Sequence, residues 1–448
     1  MPSSIPTLSG ESGLAVLRRM FRERSILGGL AAMRAALGNI FRIALPNFHP
    51  IFLAGPEANR HLLVTHRHDF LWRTENDPVT RLLRRGLLVT DGAEHDRLRA
   101  EMEPFLQRGP STRHIPAFWC ATRHVTQTWQ DGKRYDMLIE MRKIALLILM
   151  DTLFGVDMRP DLAQMWTPIL KSIAYISPGP WLVFKNAPRP GYARPLKELD
   201  DYLYSLIQTR RADPPSPGRR GAGGEGKRPD LLTHLIHLGL DDDIIRDQLL
   251  TMLIAGHDTS TALLAWALYL LGKHPDALTR AAAEAASLPL NTPPTSDELA
   301  QLPYLDQVIK ETLRLYPPIH VGNRRAAGEM TLCGYPIPEG TRVMYSIYLA
   351  HRHPDHWPDP DAFRPERFAR DARDTPPPLT YVPFGGGPRN CIGAGFAQVE
   401  ARVVLGYILQ TFNLQLLTQH VHEHMGATLE PRPGVVMRVR RRAPRKSV

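Results

Sequence analysis

Cysteine is scarce in this chain: three occur in 448 residues, Cys120, Cys333 and Cys391. An odd, sparse count argues against a disulfide framework and for a reducing compartment, so a cytoplasmic protein is expected. Long apolar runs are missing as well. Charge interrupts every hydrophobic stretch before the ~18 residues a membrane-spanning helix needs, and the N-terminus has no signal-peptide core, which together predict solubility. No fixed-period repeat occurs, and the one linker-like stretch, residues 212–229, is rich in Pro, Gly and Arg without separating two self-sufficient patterns. It reads as a mobile surface loop inside one domain spanning 1–448.

Acidic charge is also in deficit, with 45 Asp and Glu against 55 Lys and Arg, a net charge of +10. That balance alone invites nucleic acid. The cations are spread out, however, and only the basic tail, residues 438–448, is compact; with no aromatic platform or binding motif beside it, nucleic-acid binding is not expected. Residues 12–45 place Arg18, Arg19, Arg22, Arg24 and Arg34 among Leu, Met and Phe. The pattern leaves peripheral membrane contact open, with a first helix packed on the domain as the preferred reading.

What is present is more specific. Hydrophobic residues make up 43% of the chain, enough to bury a large core around a cavity. Cys391 lies in Phe384-Gly385-Gly386-Gly387-Pro388-Arg389-Asn390-Cys391-Ile392-Gly393, just before an apolar-periodic run. A cysteine at a helix N-terminus is placed to favour thiolate, the form that ligates metal. The small residues let backbone pass close to a flat, bulky ligand, and Arg389 adds a fixed cation.

This Phe-x-x-Gly-x-Arg-x-Cys-x-Gly pattern resembles the cysteine loop of the cytochromes P-450, the haem-thiolate monooxygenases, in their bacterial soluble form. Four further motifs occur in the family's order, so the resemblance covers roughly residues 45 to 440. It implies a mainly α fold with a small β-rich lobe, a helical prism enclosing haem b (iron protoporphyrin IX) with the axial thiolate from Cys391, and with Phe384 and Gly393 shaping the loop. An inert buried cysteine beside a glycine turn would not require the arginine and glycine spacing.

Residues 249–273 repeat apolar positions at helical spacing around a polar break, Ala255-Gly256-His257-Asp258-Thr259-Ser260. Gly256 weakens a helix and Thr259 can divert a helical carbonyl, so a local bulge with room for dioxygen is expected. By resemblance this is the family's distal helix, lying against the cofactor at Ala255 and Gly256, with Thr259 as the hydrogen-bonding alcohol and Asp258 as the acid in proton delivery. Glu311 and Arg314, at i and i+3, resemble the family's Glu-x-x-Arg motif. Arg367, in Phe363-Arg364-Pro365-Glu366-Arg367-Phe368, would complete a structural network behind the cysteine loop. His95 and Arg99, at i and i+4, share a helix face and suit one anion; the resemblance makes it a haem propionate, with Arg389 and either Arg324 or Arg325, preferably Arg324, as further partners.

Two histidine groups, His351, His353 and His356, then His420, His422 and His424, lack the spacing of a designed metal site. Residues 175–192 are expected in a lid, with Trp181 and Phe184 in the substrate pocket beside Ile319, His320 and Val321. An apolar guest follows, a fatty acid, retinoid or carotenoid in preference to a compact terpene. The resemblance implies a monomer that inserts one oxygen atom into a C–H bond, fed by a ferredoxin or flavodoxin with an NAD(P)H reductase; docking of such an acidic partner also accounts for the positive charge. The other readings are a peroxide-driven or isomerising haem-thiolate enzyme and a non-enzymatic haem sensor. Asp258-Thr259 argues against the former.

Overall fold

The computed structural model describes residues 4–8, 13–16, 18, 20, 25–44, 47–74, 77–179, 189–213, 230–372, 375–418 and 420–443. Helix α1 (Ile26–Leu37) starts where the Ser25 hydroxyl accepts from Gly28 N at 3.2 Å, and it buries Leu27, Leu30 and Met33 against Phe41 and Phe52. The described part of the N-terminal stretch is thus a helix packed on the protein. Strands β1 (Ile40–Arg42), β2 (Ile51–Leu53) and β3 (Phe70–Leu71) precede α2 (Gly92–Met102) and α3 (Ile115–Thr126). After β4 (Arg134–Asp136), Asp136 caps α4 (Met137–Phe154), which is buried nearly all round, as a core helix must be.

Helices α5 (Leu162–Ile176) and α6 (Ala193–Ala212) lie either side of residues 180–188, which fall outside the described set, as do Trp181 and Phe184. The same holds for 214–229, most of the expected loop that begins where α6 ends. Helix α7 (Asp242–Lys273) runs for 32 residues, about 48 Å, with Asp242 and Asp243 in its first turn and Lys273 in its last, the charges that complement a helix dipole. It packs along α4 through a nearly continuous buried surface. α8 (Pro275–Ala285) and α9 (Pro303–Leu315) follow, each opened by a proline at its first position.

The β-rich part is small. β5 (Val321–Ala326), the hairpin β6 (Met330–Leu332) and β7 (Tyr335–Ile337), and β8 (Arg342–Ser346) lead to a five-stranded sheet ordered β1-β2-β8-β5-β3. Helix α10 (Ala394–Thr411) carries the chain into β9 (Phe412–Leu416), β10 (His422–Met425), β11 (Leu429–Arg432) and β12 (Val436–Arg441). β12 is the centre of a β4-β12-β9 sheet, and β10 pairs with β11. This is the mainly helical fold with a small β-rich lobe that the sequence implied. No described helix is long and apolar enough to cross a membrane.

The basic tail needs correction. Arg438–Arg441 belongs to β12, where Met437 and Val439 are buried, Arg438 between them is half-buried, and Arg440 and Arg441 after them are exposed. Alternation of period two was the overlooked signal.

Candidate active site

Backbone geometry shapes the cysteine loop first. Gly387 has φ of 67°, a left-handed value glycine adopts freely, and a Cβ there would collide with the Leu63 carbonyl oxygen. Cys391 N donates to Phe384 O at 2.8 Å and closes the loop, and α10 starts at Ala394 with Gly393 as its N-cap. Cys391 is open at its surface but ringed by protein, and that enclosure pushes the free thiol up while the Gly393 N–H and the Arg99 charge favour the thiolate. Thiolate here depends on a metal cation, which deprotonates a coordinating thiol outright.

Helix α7 is also regular where a bulge was expected. Its α-helical ladder continues through Gly256, although Thr259 Oγ1 does donate to Ala255 O at 2.6 Å. A Cβ at Gly256 would stand 2.6 Å from Leu149 Cδ1 on α4, so any larger residue there would have to push that leucine methyl aside. In this otherwise buried stretch Ala255 is exposed and Gly256 and Thr259 half-buried, a window one turn tall on a single helix face. Asp258 turns away from it into the protein, where Thr428 Oγ1 donates to its Oδ2 at 2.6 Å. Burial first, and then the Glu430 charge, raise the Asp258 carboxyl to about 6.

One residue on, Ser260 Oγ donates at 2.6 Å to Glu400, which ties α7 to the helix that follows Cys391. Glu400 was not anticipated; a charged residue in an apolar helix run was its only signal. Burial raises its carboxyl from 4.5 to about 8. The folded protein therefore keeps a proton that the unfolded chain has released, and stability declines as pH rises across that interval. Glu400→Gln, which keeps the shape, should remove the decline, gaining on the order of 2–5 kcal/mol at pH 8 and almost nothing below pH 4.5. Thermal melts of both proteins at the two pH values check this, and parallel pH dependences would refute it.

The proposed anion-binding cations gather on one side. Arg389 NH2 donates to Thr90 O and to Asp91 Oδ1, both at 2.7 Å, while Arg99 donates to Asn390 O at 2.8 Å and Asn390 Oδ1 at 2.9 Å. Arg324 is 5% exposed, stacks 4.0 Å above the Trp72 ring and has no ion pair among the described residues. Its neighbours include Arg389 and Asp91. Arg325 sits on the opposite face of β5. His95 is buried, bonded through Nδ1 to Asp96 at 2.8 Å, and pushed down by burial against that bond. Asp91 and Trp72 went unrecognised in the sequence. Asp91 occupies the N-cap of α2 without capping it, since its carboxylate accepts from Trp72 N, Arg73 N and Arg389 instead.

Glu311 and Arg314 form a bidentate pair at 2.7 and 2.8 Å with both side chains 0% exposed. Arg364 N donates to Glu311 at 2.9 Å, and Arg367 Nε lies 3.4 Å from it. Arg314 also donates to the carbonyls of His351, Pro360 and Ala362. The network reaches the cysteine loop through His351, whose Nδ1 meets Arg314 O at 3.2 Å while its Nε2 accepts from Val382 N at 2.8 Å, two residues before Phe384. His351 is thus a neutral brace, lowered to about 3 chiefly by burial. His422 and His424 share the exposed face of β10.

At the expected substrate border, Ile319 is 40% exposed and Val321 half-buried, but His320 is 7% exposed. Side chains alternate along extended chain, so His320 packs into the protein and separates from the pair it was grouped with. Tyr175 and Tyr192 pack edge to face at 5.5 Å across the base of the expected lid.

The cytochrome P450 family model matches residues 16–438. "Putative cytochrome P450 139" of Mycobacterium tuberculosis is 32% identical over 413 residues, covering 88% of this chain and 93% of that one. "Putative cytochrome P450 135B1" of the same organism is 31% identical, covering 92% and 85%. Among solved structures, retinoic acid-bound cyanobacterial CYP120A1 superposes with a TM-score of 0.81 at 26% identity, covering 98% and 100%; the cytochrome P450DA heme domain gives 0.82 at 26%, covering 99% of each chain. The chain belongs to the cytochrome P450 family. Haem with an axial cysteine thiolate is its cofactor. The residues fit that group: a buried arginine without a carboxylate partner suits a propionate, and an accessible window on α7 accompanies an exposed cysteine on a glycine-shaped loop.

Proposed function

We propose that the protein, acting as one unit over 1–448 and as a cytoplasmic monomer, hydroxylates an elongated hydrophobic substrate, a fatty acid, retinoid or carotenoid. A ferredoxin or flavodoxin with an NAD(P)H reductase supplies the electrons. The carrying observation is Asp258-Thr259 on α7: the alcohol belongs to the accessible window and the acid lies buried directly behind it. Held by a thiolate, haem supplies dioxygen activation with O–O cleavage, so one oxygen atom enters a C–H bond and the other leaves as water.

The chain's own residues do the rest. Cys391 supplies the thiolate, and Arg324, Arg389, Arg99 and His95 hold the propionates, orienting the ring. Thr259, its proton pointed at Ala255 O, offers hydroxyl lone pairs at the window and can relay a proton from behind. Asp258, raised to about 6, keeps a useful share of its protons near neutral pH. Ile319 and Val321 present an apolar border. The retinoic acid held by one structural neighbour supports a chain-like guest. The acid-alcohol pair disfavours peroxide-driven and sensor roles.

In the test, long-chain lipids should shift the haem absorption spectrum and be hydroxylated with NAD(P)H use coupled to product. Thr259→Ala should bind them equally well but divert reducing equivalents to hydrogen peroxide. Asp258→Asn should slow turnover on the order of 10²-fold. Unchanged coupling in Thr259→Ala would remove the role given to Thr259, and tight binding of camphor-sized ligands with every lipid silent would overturn the substrate class.

A further inference from the structure

Asp258 shares a buried polar cluster with residues the reaction as described does not use. From α4 comes Arg142, 11% exposed in its side chain, whose NH2 pairs with Glu430 of β11. Glu430 is 5% exposed and also pairs with Arg432, the member of the cluster nearest solvent, at 3.2 Å. From α7 comes His257, whose Nε2 donates to the Arg142 carbonyl at 3.1 Å, with the imidazole held neutral by burial. Thr428, just before β11, holds Asp258 Oδ2. The segment is fixed on both sides: Trp266 Nε1 donates to Leu429 O at 2.8 Å, and Leu429 N donates to Pro318 O at 2.9 Å.

Satisfaction of the polar atoms is uneven. Asp258 Oδ1 and Arg142 Nε are both buried and have no hydrogen-bond partner among the described residues. Arg142 is thus bonded to Glu430 and not to Asp258, although its charge, and more weakly that of Arg432, reaches Asp258. Glu430 works against the ionisation of Asp258 and Arg142 for it. In a low-dielectric interior, an arginine released by one carboxylate is strongly drawn to the other.

We propose that Glu430 is a positioning residue of the reaction: by engaging the Arg142 guanidinium it withholds that cation from Asp258 and leaves Asp258 Oδ1 free to take up and release a proton. Each proton passes from solvent to Asp258 and onward to the Thr259 side, after which Asp258 is back at its starting charge; the oxygen atom that leaves as water takes two such protons per turnover. An Asp258 locked to Arg142 would be a permanent carboxylate, since an arginine in contact lowers a carboxyl by about 1–3 units. This inference rests on the reading of Asp258 as the proton-delivering acid.

The test follows the Asp258 carboxyl stretch by infrared titration of the ferric holoenzyme, the band being assigned by its loss in Asp258→Asn. The pH profile of coupled turnover is recorded alongside. Glu430→Gln should lower the Asp258 midpoint by about one unit or more as Arg142 turns to it. Glu430→Asp keeps the charge but shortens the reach to Arg142, and should lower the midpoint by less. If only Glu430→Asp folds with haem, its result decides; if only Glu430→Gln folds, an infrared shift of the Arg142 guanidinium band alongside the midpoint supports the proposal and an unmoved band overturns it. A midpoint unmoved in Glu430→Gln, or one that falls there but stays in place in Glu430→Asp, would overturn the proposal; the second pattern would mean that charge alone acts. A shifted midpoint with an unchanged pH profile would instead leave Glu430 in control of Asp258 and remove Asp258 from proton delivery.

Discussion

Arg314→Leu should fail to accumulate as a haem-loaded protein. The substitution removes the two-pronged partner of Glu311 at 0% exposure, leaving it only the Arg364 N–H and the Arg367 guanidinium at 3.4 Å, and deprives the carbonyls of His351, Pro360 and Ala362 of their donor. Breaking a buried ion pair from one side costs about 3–5 kcal/mol, against a total stability of about 5–15 kcal/mol for a typical domain. The damage is also directed, because Arg314 holds His351 and His351 holds Val382 N at the entry to the cysteine loop. Arg314→Lys keeps the charge but loses the two-pronged fit, so it should fold with a lower melting temperature and partial haem loading. The haem-to-protein absorbance ratio and the melting temperature are the measurements. A leucine variant with wild-type values of both would show that the network does not brace the loop.

This network also shows where sequence reading stops. Glu311-x-x-Arg314 is visible as a spacing, and Arg367 could be added by resemblance. The resemblance puts His351 only in a structural stretch; its two bonds join residues 37 and 31 positions away, so what it braces cannot be read locally. Asp91 and Glu430 escaped for the same reason: each acts on partners brought near only by the fold. The cysteine loop was legible because its chemistry dictates small residues and a cation at fixed offsets, which the chain must display in order.

At Gly256 the expected bulge is absent, because the helix runs on without a break. A glycine in a helix announces that something comes close, and the sequence has no means of saying that Leu149 from a neighbouring helix is one of those neighbours. Local signals were most informative where geometry is local. Cys391 sits two residues before its helix N-cap, as its setting predicts, yet the Arg99 charge beside it comes from a helix far away in the chain.

Cys391→His should abolish the thiolate-type spectrum of the reduced, carbon monoxide-bound protein and reduce oxygen insertion to background. Imidazole is a neutral ligand and cannot deliver the sulfur's electron density, so the variant can hold haem without supporting the chemistry. The loop itself should survive: Cys391 N still donates to Phe384 O, Gly387 still meets Leu63, and only the Gly393 N–H loses its acceptor. Replacing the other two cysteines with serine separates ligation from general thiol chemistry. Cys120 is exposed, and Cys333, raised by burial, borders the apolar cluster under β6 and β7. Both variants should keep the spectrum, with Cys333→Ser somewhat less stable because a hydroxyl is more costly than a thiol in apolar surroundings. A thiolate-type spectrum persisting in Cys391→His, or lost in either serine variant, would mean that another sulfur binds the iron.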